Sequence, residues 1–273
     1  MLKGRIRVLF LSAVVLGAAA LLPARAAAQD SPVLDRIVES STLRVGMSGN
    51  QPPFNMKGRD GNLMGLEVDL ANALAAAMKV DLQIVEKPFG DLIPALEKGE
   101  VDMVMSGMTI TAMRSRSVSF VGPYVVSGKS ILTKSSTLAA VQDTGDLNES
   151  DIRLVALQNS TSEDFVRRYL PEAQLTTVGS YDEAIEMLRQ GTTGALVADM
   201  PICLITLLRY PTEGFATLTQ PLTLEPIGVA VPANDPQLLN LVRNYVTALE
   251  GMGILEALRQ EWLENGAWIA AMP

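Results

Sequence analysis

The run Leu43-Arg44-Val45-Gly46-Met47, which stops at the polar loop Ser48-Gly49-Asn50-Gln51-Pro52-Pro53-Phe54, decides the fold. It reads as a short buried strand ended by turn-forming residues. Next along the chain, Asp60-Gly61 marks a turn. Leu66, Leu70, Ala73, Ala77 and Met78 then recur at helical spacing through an Ala-rich segment, which predicts a helix. Residues 81–85 read as a second strand. A short helix is expected from about Asp91, with Pro94 in its first turn and Gly99 just past its end. A third strand over 101–105 stops at Ser106-Gly107. This β-α-β-α-β order implies an α/β fold whose mainly parallel sheet is flanked by helices.

A similar order then begins again. Residues 152–157 form a strand leading to Asn159-Ser160-Thr161-Ser162-Glu163-Asp164. Ser160 with Glu163, or Thr161 with Asp164, has capping-box spacing, so a helix starts there and ends near Pro171. Ser180 with Glu183 opens another helix that closes around Gly191. Residues 195–198 read as a buried strand with Asp199 at its exit. Two α/β units are therefore expected, joined near 124–128. Helices over 236–250 and 254–264 follow, and periodicity alone leaves open which unit they join.

Composition excludes several functions. The 273 residues include no His and one Cys, so a zinc site of His and Cys ligands, a His-based triad and an intrachain disulfide are all ruled out. Cys203 and the methionines Met103, Met105 and Met108 suit packing. At the N-terminus, Lys3, Arg5 and Arg7 precede an apolar run over 8–22, and the small residues around 24–28 fit a cleaved export signal spanning 1–28. Removing it takes away four basic residues, so 22 Lys+Arg against 30 Asp+Glu becomes 18 − 30 = −12. So acidic a body repels phosphate backbones, and no nucleic-acid partner is expected. A soluble exported protein is.

Ligands of open α/β sheets gather at the carboxyl ends of strands. Here those ends are 48–51, 106–114 and 159–162, with Asp199 as a fourth. They supply one guanidinium, one carboxylate, several hydroxyls and a helix N-terminus, an inventory that suits a zwitterion. A guanidinium holds a carboxylate through two parallel hydrogen bonds, free amides at 160–162 favour the same anion, and Asp199 suits an ammonium. Each residue also has a plainer reading. Arg114 could be solvated, Asp199 a turn residue before Pro201, Ser160 and Thr161 simple caps, and Phe54 and Phe89 core aromatics.

The stretches Leu43-Arg44-Val45-Gly46, Pro53-Phe54, Gly65-Leu66-Glu67-Val68-Asp69-Leu70 and Leu92-Ile93-Pro94-Ala95-Leu96 are followed by two more. These are Gly107-Met108-Thr109-Ile110-Thr111-Ala112-Met113-Arg114 and Phe120-Val121-Gly122-Pro123-Tyr124. In that order they resemble the periplasmic amino-acid-binding proteins of ABC importers, the group with the glutamine- and histidine-binding proteins. The likeness runs from about Thr42 to Trp262.

The resemblance implies a two-lobed clamshell with two crossover strands. Lobe one would take 29–124 plus 228–273 and lobe two 125–227, with hinges about 124–128 and 223–228. It implies that Arg114 clamps the ligand carboxylate, helped by Thr109 and Thr161. Ser106 and Gly107 would line the pocket, Asp199 would hold the ammonium, and Phe89 would pack on the ligand. Ser160, Ser162, Ser48, Gln51 and Gln158 would complete the binding set. Two departures stand out: Ser48 replaces a common acid and Gln51 an aromatic lid, while Asn159 and Gln158 replace other side-chain readers. The expected function is periplasmic capture of an amino acid, or a close carboxylate and ammonium analogue, for a membrane ABC permease. A monomer without cofactor or metal is expected. The alternative is a cyclohexadienyl or arogenate dehydratase-like enzyme, which would need a general acid without His.

Overall fold

The computed structural model describes residues 31–141 and 144–272; the expected export signal over 1–28 lies outside the described residues. After helix α1 (Pro32–Ser40) comes strand β1 (Thr42–Met47), the strand from which the sequence was read. A small three-stranded sheet follows: β2 (Asn50–Gln51), β3 (Asn55–Lys57) and β4 (Leu63–Met64). Then come helix α2 (Leu66–Met78), β5 (Asp81–Glu86), helix α3 (Leu92–Glu97), β6 (Met103–Val104) and the long β7 (Val118–Ser127). The first large sheet has the order β5-β1-β6-β13-β7, where β13 is Glu225–Pro232. β1 runs parallel to both β5 and β6, while β13 is antiparallel to β6 and β7.

Alternation along the strands sends side chains to opposite faces. Met103 packs with α2 residues Leu66, Leu70 and Leu74, whereas Val104 packs with Leu92 and Leu96 of α3. Helices therefore cover both faces. The third strand is shorter than the sequence suggests. Its neighbours still bond to β1, through Asp102 N–H to the Arg44 carbonyl (2.9 Å) and Met105 N–H to the Gly46 carbonyl (3.1 Å).

Gly128 separates β7 from β8 (Lys129–Thr133), where the second sheet begins. A short helix α4 (Ser136–Ala139) precedes β9 (Arg153–Leu157), helix α5 (Thr161–Tyr169), β10 (Gln174–Val178) and helix α6 (Tyr181–Arg189). β11 (Ala195–Asp199), helix α7 (Met200–Arg209) and β12 (Ala216–Thr217) complete it, in the order β10-β9-β11-β8-β12. β9 is parallel to β10 and β11, and β8 is antiparallel to β11. Of the two capping boxes possible at α5, the structure uses the first. Ser160 Oγ accepts the N–H groups of Ser162 and Glu163, and Glu163 returns a carboxylate to the Asn159 N–H at 2.6 Å. Ser180 caps α6 through the Glu183 N–H, while Glu183 accepts from Gly179.

The chain returns through β13 to helices α8 (Pro236–Gly251) and α9 (Ile254–Arg259), which pack on the first sheet. Buried Asp235 fastens this return. Its carboxylate accepts from Leu238 N–H (2.9 Å), capping α8, and from Val33 and Leu34 N–H at the start of α1 (2.8 and 3.0 Å). Beyond α9, Trp262 and Trp268 stack at 5.3 Å between ring centres inside the first core, and Trp262 donates its indole N–H to Asp69 at 2.8 Å. Among the described residues no helix is long and apolar enough to cross a membrane.

Asp235→Ala removes acceptors from three backbone donors at once. We expect a loss of about 2–3 kcal/mol, seen in thermal melts as a Tm lower by about 4–12 °C.

Candidate ligand-binding site

The carboxyl ends of β1 and β6 face those of β9 and β11 across a crevice between the two sheets. On the first side, Ser106 is wholly buried at the exit of β6. Its Oγ accepts the Ser48 N–H (3.0 Å) and lies 3.0 Å from Ser48 Oγ and 3.4 Å from Gln51 Oε1. Ser48, Gln51 and Ser106 are thus brought together. The next residue, Gly107, turns with φ of 57°, and a Cβ there would meet Gln51 Oε1 at 2.8 Å. The positive φ favours glycine, and a side chain there would also push the Gln51 amide aside.

Beneath this turn lies a group that sequence reading did not single out. Glu67, at the start of α2, accepts the Gly107 N–H at 2.7 Å and the Asn55 side-chain amide at 2.6 Å. The Tyr124 hydroxyl donates to it as well. Asn55 in turn accepts the Gly49 N–H at 2.7 Å. One buried carboxyl therefore braces both crevice loops and the strand β7 that leaves the lobe. Burial pushes Glu67 up to about 7, against the lowering effect of its bonds to Tyr124, Gly107 and Asn55. Burial, with the Glu67 charge, likewise holds Tyr124 well above its ordinary value.

Arg114 projects from a single turn after Thr111, whose hydroxyl accepts the Arg114 N–H. Its guanidinium donates to the Thr109 carbonyl (2.9 Å) and, across the crevice, to the Asn159 carbonyl (3.4 Å). It also lies 5.5 Å from the centre of the Phe89 ring, so Phe89 forms the plate on which the guanidinium rests. Burial pulls Arg114 below its ordinary value, while Asp164, Asp199 and Glu225 pull it back up. These acids of the opposite unit and its crossover strand lie within electrostatic reach of the guanidinium. A guanidinium stays charged regardless.

The two sides touch. Thr109 and Thr161 hydroxyls are 3.3 Å apart, and a Cβ at Gly90 would fall 2.3 Å from the Asn159 side-chain nitrogen. Phe89 and Met108 of the first unit share an apolar cluster with Tyr181, Ala198 and Ile202 of the second. Cavities of about 290 Å³ beside Arg114 and about 310 Å³ beside Ser48 open where the units meet.

On the second side, Ser160 and Ser162 are buried at the N-terminus of α5, and the Thr161 N–H is left over by the Ser160 cap. Gln158 is exposed, with its backbone N–H on the Val178 carbonyl. Among the described residues no hydrogen bond ties its side chain to the others. Asp199 departs most from expectation. It already holds an ammonium: Lys129 Nζ lies 2.6 Å from Asp199 Oδ1, and Lys129 is 1% exposed. Glu225 stands 3.8 Å from the same nitrogen. Tyr181, also overlooked in the sequence, is buried beside Asp199; burial first, then that carboxylate, raises its hydroxyl well above the usual value. Cys203 is fully buried and pushed up to about 12, chiefly by burial, so it carries no thiolate at neutral pH.

The chain matches the family model described as bacterial extracellular solute-binding proteins, family 3, over residues 43–265. It is 32% identical to the L-arginine-binding protein of Pseudomonas aeruginosa, over 81% of this chain and 87% of that one. The crystal structure of AncCDT-1, an ancestral amino acid-binding protein and precursor of cyclohexadienyl dehydratase, is 34% identical. It covers 85% of this chain and 99% of its own, with a TM-score of 0.78. A putative ABC-transporter binding component from Wolinella succinogenes, complexed with lysine, is 31% identical over 84% of this chain and 99% of its own, with a TM-score of 0.80.

Glu67 sets a pH dependence. Between its ordinary value of 4.5 and about 7 the folded chain keeps a proton that the unfolded chain releases. Stability from this group is therefore full below 4.5 and lost as pH rises through about 7. The loss is roughly 3 kcal/mol at most. Glu67→Gln keeps a neutral amide there, so its denaturant midpoint should vary less than wild type between pH 5 and 8. Parallel wild-type and variant curves would refute the assignment.

Proposed function

The chain belongs to the bacterial extracellular solute-binding proteins, family 3, and from that premise we propose that its lobes close on an amino acid or a close carboxylate-bearing analogue. It is a binding protein of ABC-type uptake. The closed form is what a membrane ABC permease would read, after export of a monomer to the periplasm.

One observation carries this reading. The cationic fork of Arg114, from the first lobe, reaches the Asn159 carbonyl just ahead of α5 in the second lobe, and Thr109 beside it meets the Thr161 hydroxyl. A ligand carboxylate set between them would take guanidinium hydrogen bonds from one lobe and, from the other, the Thr161 N–H, which has no acceptor among the described residues. Both sets of donors exist together only when the lobes are shut, so the ligand gains differential affinity for the closed form. Water leaves the crevice on closure, which strengthens each charge-assisted bond. Ser48, Gln51, Ser106, Gly107 and Thr109 would line the first wall. Ser160, Ser162 and Asp199 would line the second, and Phe89 would set the guanidinium plane.

Elimination chemistry of the dehydratase type fits less well. It needs a general acid at the leaving group. Histidine is absent, Asp199 is tied to Lys129 and Glu67 lies under the Gly107 turn, which leaves Lys129, Tyr181 or Glu225 to supply the proton.

A thermal-shift panel of amino acids and their analogues should identify a stabilising ligand; at 100 times its Kd it adds about 2.7 kcal/mol. Calorimetry with that ligand should then show Arg114→Ala weaker by about 1.5–3.5 decades, as expected for truncating one partner of a buried charge pair. Near-normal affinity in Arg114→Ala would remove the carboxylate clamp and this reading with it.

A further inference from the structure

Lys129 opens β8, directly after the crossover, and pairs in register with Asp199 at the end of β11. Directly opposed residues of an antiparallel pair project to the same face, which brings ammonium and carboxylate together at 2.6 Å. The lysine is 1% exposed and Asp199 7%. Glu225, whose carboxylate also accepts from the Thr223 hydroxyl, is the next anion, at 3.8 Å from the lysine nitrogen.

We propose that Lys129 is a built-in cation that fills the ammonium seat at Asp199, so that the captured molecule is a carboxylic acid bearing oxygen rather than an amino group at C2. The class is that of 2-oxo and 2-hydroxy acids. The proposal rests on the capture reading above and narrows it.

Three arguments support it. First, Asp199 cannot release Lys129 without leaving a buried ammonium beside Glu225 alone, and buried charges are held by close, hydrogen-bonded partners. Second, a ligand ammonium sharing Asp199 would place two cations a few ångströms apart in a crevice that excludes water, where like charges repel most strongly. Third, an ammonium has three N–H donors and no acceptor. Asp199 takes one of them, and the others suit an oxo or hydroxyl oxygen but reject an ammonium. Arg114 would still hold the carboxylate end. The rest of the molecule would meet Gln51, Ser48 and Tyr181. Charge count by itself favours a neutral zwitterion, because Arg114 and Lys129 already balance Asp199 and Glu225 and a carboxylate monoanion adds one negative charge. The local geometry at Asp199 points the other way.

The test is calorimetric titration of the full chain with matched pairs that share a side chain: pyruvate and lactate against alanine, 2-oxoglutarate against glutamate, 4-methyl-2-oxopentanoate against leucine, phenylpyruvate against phenylalanine. The tightest binder should be an oxo or hydroxy acid, at least tenfold tighter than its amino counterpart. Lys129→Met should shift that preference at least tenfold toward the amino acid by vacating Asp199. Because that variant strands two carboxylates, Lys129→Met/Glu225→Gln is titrated beside it, and the wild-type ranking decides even if neither variant folds. An amino acid bound more tightly than its oxo and hydroxy partners by wild type would overturn the proposal while leaving capture by closure intact. Binding that is indifferent to Lys129→Met would overturn it too. Wild type that binds no member of either series would overturn both.

Discussion

Two long strands lying side by side, β7 and β13, carry the chain from one sheet to the other and back. Their pairing runs from Val118 opposite Pro232 to Ser127 opposite Glu225, and there the sheets part. Everything in the crevice is placed by that point of departure. Gly128 and Lys129 follow within two residues of β7, Glu225 begins β13, and the bridge between Thr109 and Ile227 ties the Arg114 loop to the returning strand. The pocket chemistry is therefore fastened to the segments that connect the lobes. A charge on Glu225 or Lys129 would act on the proposed ligand seat and on the crossover together.

Two buried carboxylates illustrate how one fold sets different fates for the same group. Glu67 has only neutral donors around it, the Gly107 and Asn55 N–H groups and the Tyr124 hydroxyl, so burial dominates and its proton is held up to about 7. Asp199 has a lysine at 2.6 Å, and the pair shares the cost of desolvation. The first braces loops; the second fixes a charge pattern. Each is held by the donors around it.

Local signals in the sequence were strong wherever a few neighbouring residues set the outcome. Ser180 with Glu183, and Ser160 with Glu163, are caps written in four residues, and both helices begin where those caps put them. The α/β order was legible because apolar runs alternate with periodic segments. The candidate site was legible only in part. Ser48, Gln51, Ser106, Gly107, Thr109, Arg114 and Thr161 sit at strand ends, where topology alone gathers polar groups. Lys129 was missed because its meaning lies in the register of β8 on β11, across 70 positions of sequence. A signal did exist: a lysine at the head of Ser130-Ile131-Leu132, a run that is otherwise buried and uncharged. Glu67 and Asn55 were hidden for a similar reason, since a carboxyl in the first turn of a helix looks like an ordinary response to the helix dipole.

The indole pair Trp262 and Trp268 has an optical consequence. These are the chain's two tryptophans, and both rest in the core of the first lobe against α2, with rings inclined at 47°. Tryptophan emission, excited at the red edge where tyrosine does not absorb, thus reports on that half alone. The second half, whose aromatic residues include Phe165, Tyr181 and Tyr210 but no indole, can loosen or melt with little change in that tryptophan signal. A fluorescence melt and a far-ultraviolet dichroism melt of the same sample follow different populations of structure, and a gap between them measures how independently the halves come apart.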